Sequence, residues 1–201
     1  MNKRLKTGLI GCLLLGMSGM VSASQYKIDV EGAHAFIQFR IKHLGYSWLW
    51  GRFDQFDGQF QFDKAKPEDT AISVEIDMAS LNSNHAERDK HLKNEDFFDV
   101  DKFPKATFES KSVKMTGDET AELTGTLTLK GISKDVIIDV EYIGGGADPW
   151  GGYRQGFEGR TTLSLKDFGI DYNLGPASTT AEVFLSIEGI RQLDKQDSLK
   201  K

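Results

Sequence analysis

Phe36-Ile37-Gln38-Phe39-Arg40-Ile41-Lys42 decides the fold. Ile37, Phe39 and Ile41 are apolar, and Gln38, Arg40 and Lys42 between them are polar. Side chains of a strand point alternately to its two faces, so this stretch reads as a strand with one buried face. The same period recurs along the chain. In Phe56 to Asp63 the even positions are apolar. Ile72, Val74, Ile76 and Met78 alternate with Ser73, Glu75 and Asp77, and Leu123, Leu127 and Leu129 alternate with threonines. Val136, Ile138, Val140 and Tyr142 follow, then Phe157, Leu163 and Leu165, then Val183, Leu185 and Ile187. Phe108 opens a further run, but Val113 and Met115 fall on the other parity, which predicts a bulge between Ser110 and Ser112.

Gly58, Gly125 and Gly159 occupy inward positions, where a strand of a closing barrel bends. Thr116-Gly117-Asp118-Glu119 reads as a hairpin turn, Lys130-Gly131-Ile132 as a tight connection and Gly144 to Gly152 as a longer mobile loop. Asn84 to Lys93 breaks the alternation and reads as a short helix, with Asn82 to Asn84 as candidate caps. It has little apolar surface, so it is expected to lie across one end of the sheet, where Leu92, Phe97, Phe98 and Phe103 close the opening. The prediction is an all-β chain: an eight-stranded antiparallel up-and-down, lipocalin-like β-barrel with one short helix at an end. Eight strands enclose an interior that side chains fill or share with one small ligand. Parity assigns its wall to Phe39, Ile41, Phe60, Phe62, Ile76, Met78, Phe108, Leu127, Leu129, Val140, Tyr142, Phe157 and Leu185 or its neighbour Phe184. Thirteen phenylalanines favour an apolar cavity, set against the plainer reading that these rings pack on one another.

The first residues bound where such a barrel works. Met1 to Lys6 is basic, Thr7 to Val21 is mostly apolar, and Val21-Ser22-Ala23 is small, the pattern of a secretory signal peptide over residues 1–23. It is too short and wrongly flanked for a membrane span. Leu9-Ile10-Gly11-Cys12 also fits a lipobox, but the apolar run continues well past Cys12, which favours the cleaved signal. Residues 24–190 are then the barrel and residues 191–201 a polar tail, in a periplasmic protein without ATP, NADH or reducing thiols at hand. Cleavage takes the net charge from −5 to −8, because Lys3, Arg4 and Lys6 leave and no acidic residue does. An acidic protein disfavours nucleic acid and anionic surfaces. With Cys12 gone, no disulfide or thiol chemistry remains.

Several motifs resemble those of the YceI family of polyisoprenoid-binding proteins. They are His34 to His43, Gly51 to Gly58, Arg88 to Asp99 with Phe103-Pro104, Leu123 to Gly131, and Lys166-Asp167-Phe168-Gly169-Ile170. They run in the family's order over nearly all of the mature chain. Ala35 stands where the family usually has Ser, Lys93-Asn94 where it often has Arg-Ser, and Lys166 where it has Arg. The resemblance implies a secreted, lipocalin-like barrel holding a long-chain isoprenoid lipid, such as an isoprenoid quinone or precursor, and commonly a homodimer. Each five-carbon unit moved out of water contributes a few kcal/mol at roughly 25 cal/mol per Å², before ordering costs. A lipid taken from a membrane was already dry, so its transfer is close to balanced.

Candidate head-group contacts are His34, Asn82 and Arg160. Trp48-Leu49-Trp50 is a candidate rim for transient membrane contact, with a barrel-end plug or dimer contact as the simpler alternative. The spacings of His85 and His91, and of His34 and His43, match no metal motif, and no metal or cofactor is expected. No nucleophile elbow or phosphate loop occurs, so a binding role is expected rather than an enzyme. Two other classes stay open: an enzyme acting on the bound lipid, marked by a nucleophile–base pair in the pocket, and an envelope stress or interaction protein, marked by a filled barrel.

Overall fold

Each alternating run forms a strand. The computed structural model describes residues 23–193, so residues 1–22 of the expected signal peptide and residues 194–201 of the tail lie outside the described residues. In chain order come β1 (Ser24–Ile28), β2 (Phe36–His43), β3 (Ser47–Phe53), β4 (Phe56–Phe62), β5 (Ala71–Asp77) and β6 (Leu81–Asn82). Then follow α1 (Ala86–Lys93), β7 (Lys105–Met115), β8 (Thr120–Leu129), β9 (Ile132–Ala147), β10 (Tyr153–Ser164) and β11 (Thr180–Arg191).

These strands make eight antiparallel staves. β1 pairs with β11 at Gly189 to Arg191, and β2 pairs with β11 at Ala181 to Ser186, so β1 and β2 are halves of one interrupted stave. β3 lies against β2 and β4 against β1, forming the next stave. β5 pairs with β4 and β6 with β3, forming a third. β7 to β11 complete the ring, each antiparallel to its neighbour, and β11 closes it on β1 and β2. The three interruptions relieve the curvature that eight continuous staves would have to absorb in bulges.

Local chemistry matches most of the turns. Lys130 and Gly131 both have positive φ (50° and 74°), the primed geometry whose twist suits a two-residue hairpin. The β7–β8 register shifts between Ser110 and Ser112, and the Ser110 hydroxyl accepts the Ile72 backbone N–H at 2.8 Å. The helix is capped by His85, not by Asn82 to Asn84: its Nδ1 accepts the Arg88 N–H at 3.2 Å, and Asn84 lies one residue outside with φ 62°. The expected loop Gly144 to Gly152 is also corrected. β9 continues through the glycines to Ala147, because pairing with β10 needs only backbone groups. The turn proper is held by the Asp148 carboxylate, which accepts N–H groups of Trp150 and Gly152 at 3.0 and 2.7 Å. Of the expected tail, Arg191 belongs to β11, and the Gln192 N–H donates to Gln25 O at 2.8 Å.

The core is a lining rather than a plug. On one side rings stack along the wall: Tyr26 on Phe60 at 5.0 Å between centres, and Phe62 edge-on to Phe157 at 5.1 Å. On the other side Phe108, Leu123 and Ile138 form a mostly aliphatic cluster. Glycine keeps the large rings flat against the strands. A Cβ at Gly125 would stand 2.3 Å from the Phe108 ring, and one at Gly51 would stand 2.4 Å from Phe39. A ring lying over a glycine covers bare backbone and leaves the barrel axis clear.

Candidate functional site

The clear axis is a cavity of about 680 Å³. That lies within the roughly 300–1,000 Å³ of pockets that take one organic ligand. All thirteen residues assigned to the wall by parity lie on it: Phe39, Ile41, Phe60, Phe62, Ile76, Met78, Phe108, Leu127, Leu129, Val140, Tyr142, Phe157 and Leu185. Leu185 faces in, and Phe184 packs outside against Trp50. Leu92, Phe97 and Phe98 reach the cavity, whereas Phe103 covers the Gly131 turn instead. After the bulge, Val113 and Met115 also face in.

Polar groups appear at the two ends of this lining. At the helix end they are Ser83, Arg88, His91 and His43. Arg88, His91 and Leu92 share one face of α1 through spacings of three and four residues, and that face turns to the cavity. The half-buried Arg88 donates from Nε to Ser83 Oγ at 2.8 Å and from Nη2 to Ser83 O at 2.5 Å. Asp89 is occupied by Ser83, accepting its N–H at 2.8 Å and also its hydroxyl. The His91 ring meets Phe97 and Tyr172 edge-on, with Nε2 3.2 Å from Asp96 Oδ2. At the opposite end the polar groups include Lys64, Thr70, Asp118 and Glu119, with the Lys64 ammonium 3.9 Å from Glu119.

The three head-group candidates do not come together, and none lies on the cavity wall. His34 sits in the break between β1 and β2, where alternation gives no parity, and its Nδ1 is 2.8 Å from Asp29. Asn82 points away from the interior: its amide donates to Asp54 at 2.9 Å, and its oxygen accepts the Asn84 N–H. Arg160 is on the outer face, mostly exposed, 3.6 Å from Glu158. Arg88 and His91 are the polar residues that sequence reasoning missed, although their helical spacing was there to read.

Trp48 and Trp50 belong to β3, where they pair with Lys42 and Arg40 close to the β2–β3 turn, and both rings are partly exposed. The Arg40 guanidinium lies 4.2 Å from the Trp48 ring centre and 5.0 Å from that of Phe184, and it donates to Glu182 at 2.6 Å. Stacking of this kind holds a cation over aromatic faces.

A second charged cluster joins the β1–β2 break to the β9–β10 turn. Arg154 donates to Asp29 at 2.6 Å, to Asp148 at 2.9 Å, and to Glu188. Burial pushes the Asp29 carboxyl up, but bonds from His34, Arg154 and the Gly32 N–H outweigh it and bring its pKa down to about 2. Hydrogen bonds from Arg154 to Asp29 and Glu188 hold the guanidinium firmly charged. Asp29, His34 and Glu188 bring ligand atoms within 4.8 Å of one another, but Arg154 already supplies the positive charge between the two carboxylates.

Comparisons with known proteins agree with this geometry. A YceI-like domain matches residues 26–189. A UPF0312 protein of Ectopseudomonas mendocina is 58% identical over 184 residues, 92% of this chain and 95% of its own length. One from Pseudomonas aeruginosa is 59% identical over 175 residues, 87% of this chain and 91% of its own. Among solved structures, the Campylobacter jejuni YceI protein superposes with a TM-score of 0.69 at 31% identity, covering 76% of this chain and 91% of that one. A polyisoprenoid binding domain from Saccharophagus degradans shares the fold, with a TM-score of 0.63 at 16% identity over 85% of this chain and 99% of its own. No helix among the described residues is long and apolar enough to cross a membrane.

Proposed function

We propose, for a chain that belongs to the YceI family, that it binds a long-chain polyisoprenoid in its barrel, for carriage or storage in the periplasm. The ligand class is an isoprenoid quinone or its precursor. One observation carries this reading: the apolar side chains line the interior without filling it, leaving about 680 Å³ along the axis. The Saccharophagus degradans neighbour, described as a polyisoprenoid binding domain, supports the choice of lipid. The open interior also counts against a filled interaction barrel. A binding protein, not an enzyme, fits the apolar wall. Transient membrane contact during loading and a homodimer complete the proposal, without nucleic acid or stable membrane insertion.

The test is mass spectrometry of an organic extract of the protein purified from its own periplasm. A co-purified isoprenoid is expected. Finding none, together with no saturable uptake of a labelled isoprenoid, would refute the reading. Leu127→Trp, which fills the axis from β8, should lower lipid occupancy at least about tenfold, since a bulky ring displaces the buried ligand area. Light scattering tests the dimer.

A further inference from the structure

The two ends of the cavity differ in their charged lining, with Arg88 at the helix end and Lys64, Asp118 and Glu119 at the other. We propose that Arg88 receives an anionic head, so that the preferred ligand is an isoprenoid ending in phosphate rather than a neutral quinone or alcohol. This rests on the lipid reading of the cavity. Arg88 lines the cavity and is half-buried, and a guanidinium does not give up its proton in a protein. Its positive charge therefore borders a low-dielectric interior, where an unmatched charge is costly. Yet it makes no ion pair among the described residues. Nε and Nη2 reach Ser83, while Nη1 has no protein acceptor among the described residues.

The adjacent Asp89 makes no direct ion pair with Arg88: Ser83 stands between them, its hydroxyl donating to Asp89 and accepting from Arg88 Nε. Ser83 therefore takes Asp89 on one side and orients Arg88 on the other, and the donors that Ser83 does not take remain for a ligand. His91 stands one turn further along the same helix face. A planar fork suits a phosphate, which takes two parallel N–H donors at once. At the other end of the cavity Asp118 and Glu119 outnumber Lys64, whose ammonium lies 3.9 Å from Glu119, so the net charge there disfavours an anion. Head at α1 and tail toward the β7–β8 turn is thus the favoured orientation.

The experiment uses the full mature chain, stripped of lipid. Geranylgeranyl monophosphate, geranylgeraniol and geranylgeranoic acid each displace a fluorescent apolar probe, for wild type, Arg88→Gln and Arg88→Lys. In wild type the phosphate should bind about tenfold tighter than the alcohol or more, the size of one charge-assisted contact. That ratio should fall to about one in Arg88→Gln and survive in part in Arg88→Lys, which keeps the charge and loses the fork. Equal binding of phosphate and alcohol by wild type, or an undiminished ratio in a folded Arg88→Gln, overturns the proposal while leaving lipid binding intact. An acid that binds as tightly as the phosphate overturns the assignment to phosphate. Binding of none of the three chains overturns the lipid reading as well.

Discussion

Arg154 stands beside a break in a stave and Arg88 on the helix between β6 and β7, and they differ in what they touch. Arg154 lies by the gap between β1 and β2 and bonds three carboxylates, Asp29, Asp148 and Glu188. Arg88 lies on α1, and among the described residues its side chain bonds only Ser83. One guanidinium is charge-matched by three carboxylates of its own chain and ties loops together. The other lines a cavity, and its Nη1 has no protein acceptor among the described residues. A charge-matched arginine holds structure, whereas one without an ion pair in a concave apolar site is available to a ligand. Substitution should separate the two roles.

The largest effect is expected at Arg154. Its side chain is 20% exposed, and Asp29 is 7% exposed. Arg154→Met removes the cation and leaves the Asp29 carboxylate covered, with His34 as its remaining side-chain partner. Breaking a buried pair from one side costs roughly 3 kcal/mol or more. The urea midpoint should fall accordingly, with the slope unchanged. A loss below about 1 kcal/mol would mean that water replaces the guanidinium and that the cluster does not hold the break.

Acid probes the same cluster more gently. Asp29 titrates near 3.8 when unperturbed and is held at about 2 in the fold. A carboxyl whose folded value is depressed stabilises the protein above its unfolded value, and that stability is lost as the pH falls through the folded one. The window is therefore about pH 4 down to about pH 2, and the loss is about 2 kcal/mol. Urea unfolding at pH 5, 4, 3 and 2 measures it. Asp29→Asn should flatten that step, and an equal step in the variant would assign it to other carboxylates.

The contrast also explains what the sequence revealed and what it concealed. Alternation is a property of single strands, so Phe39, Phe60, Leu127 and Val140 could be placed on the wall without knowing which strand pairs with which. The parity change between Phe108 and Val113 located the bulge for the same reason. Polar partners are a property of several segments at once. His34 reads as a head-group candidate, but Asp29 and Glu188 come to it at the break, 2.8 and 3.9 Å away, where no alternation guides the reading. Arg88 lay in plain sight in Arg88-Asp89-Lys90-His91-Leu92. Reading α1 by its poor apolar content hid the face that Arg88, His91 and Leu92 share. The glycines of β9 misled because they suit a loop as well as a strand whose pairing needs no side chains.

The smallest effect separates the two arginines most cleanly. Arg88→Met removes two hydrogen bonds to Ser83 and no ion pair among the described residues, and methionine retains much of the apolar stem against the cavity. Ser83 keeps its bonds to Asp89 through its N–H and hydroxyl. The expected cost is about 1 kcal/mol, the net worth of such bonds when one partner keeps others. Removing a cation that borders an apolar space also relieves a desolvation cost, which acts against that loss. Urea unfolding of lipid-free protein measures the balance. A cost as large as that of Arg154→Met would make Arg88 a second structural tie, and the distinction between a charge-matched and an available guanidinium would fail. Near-equal stability of Arg88→Met and wild type, beside a large loss in Arg154→Met, would locate the fold's charge requirement at the β1–β2 break and leave the one beside α1 free for a ligand.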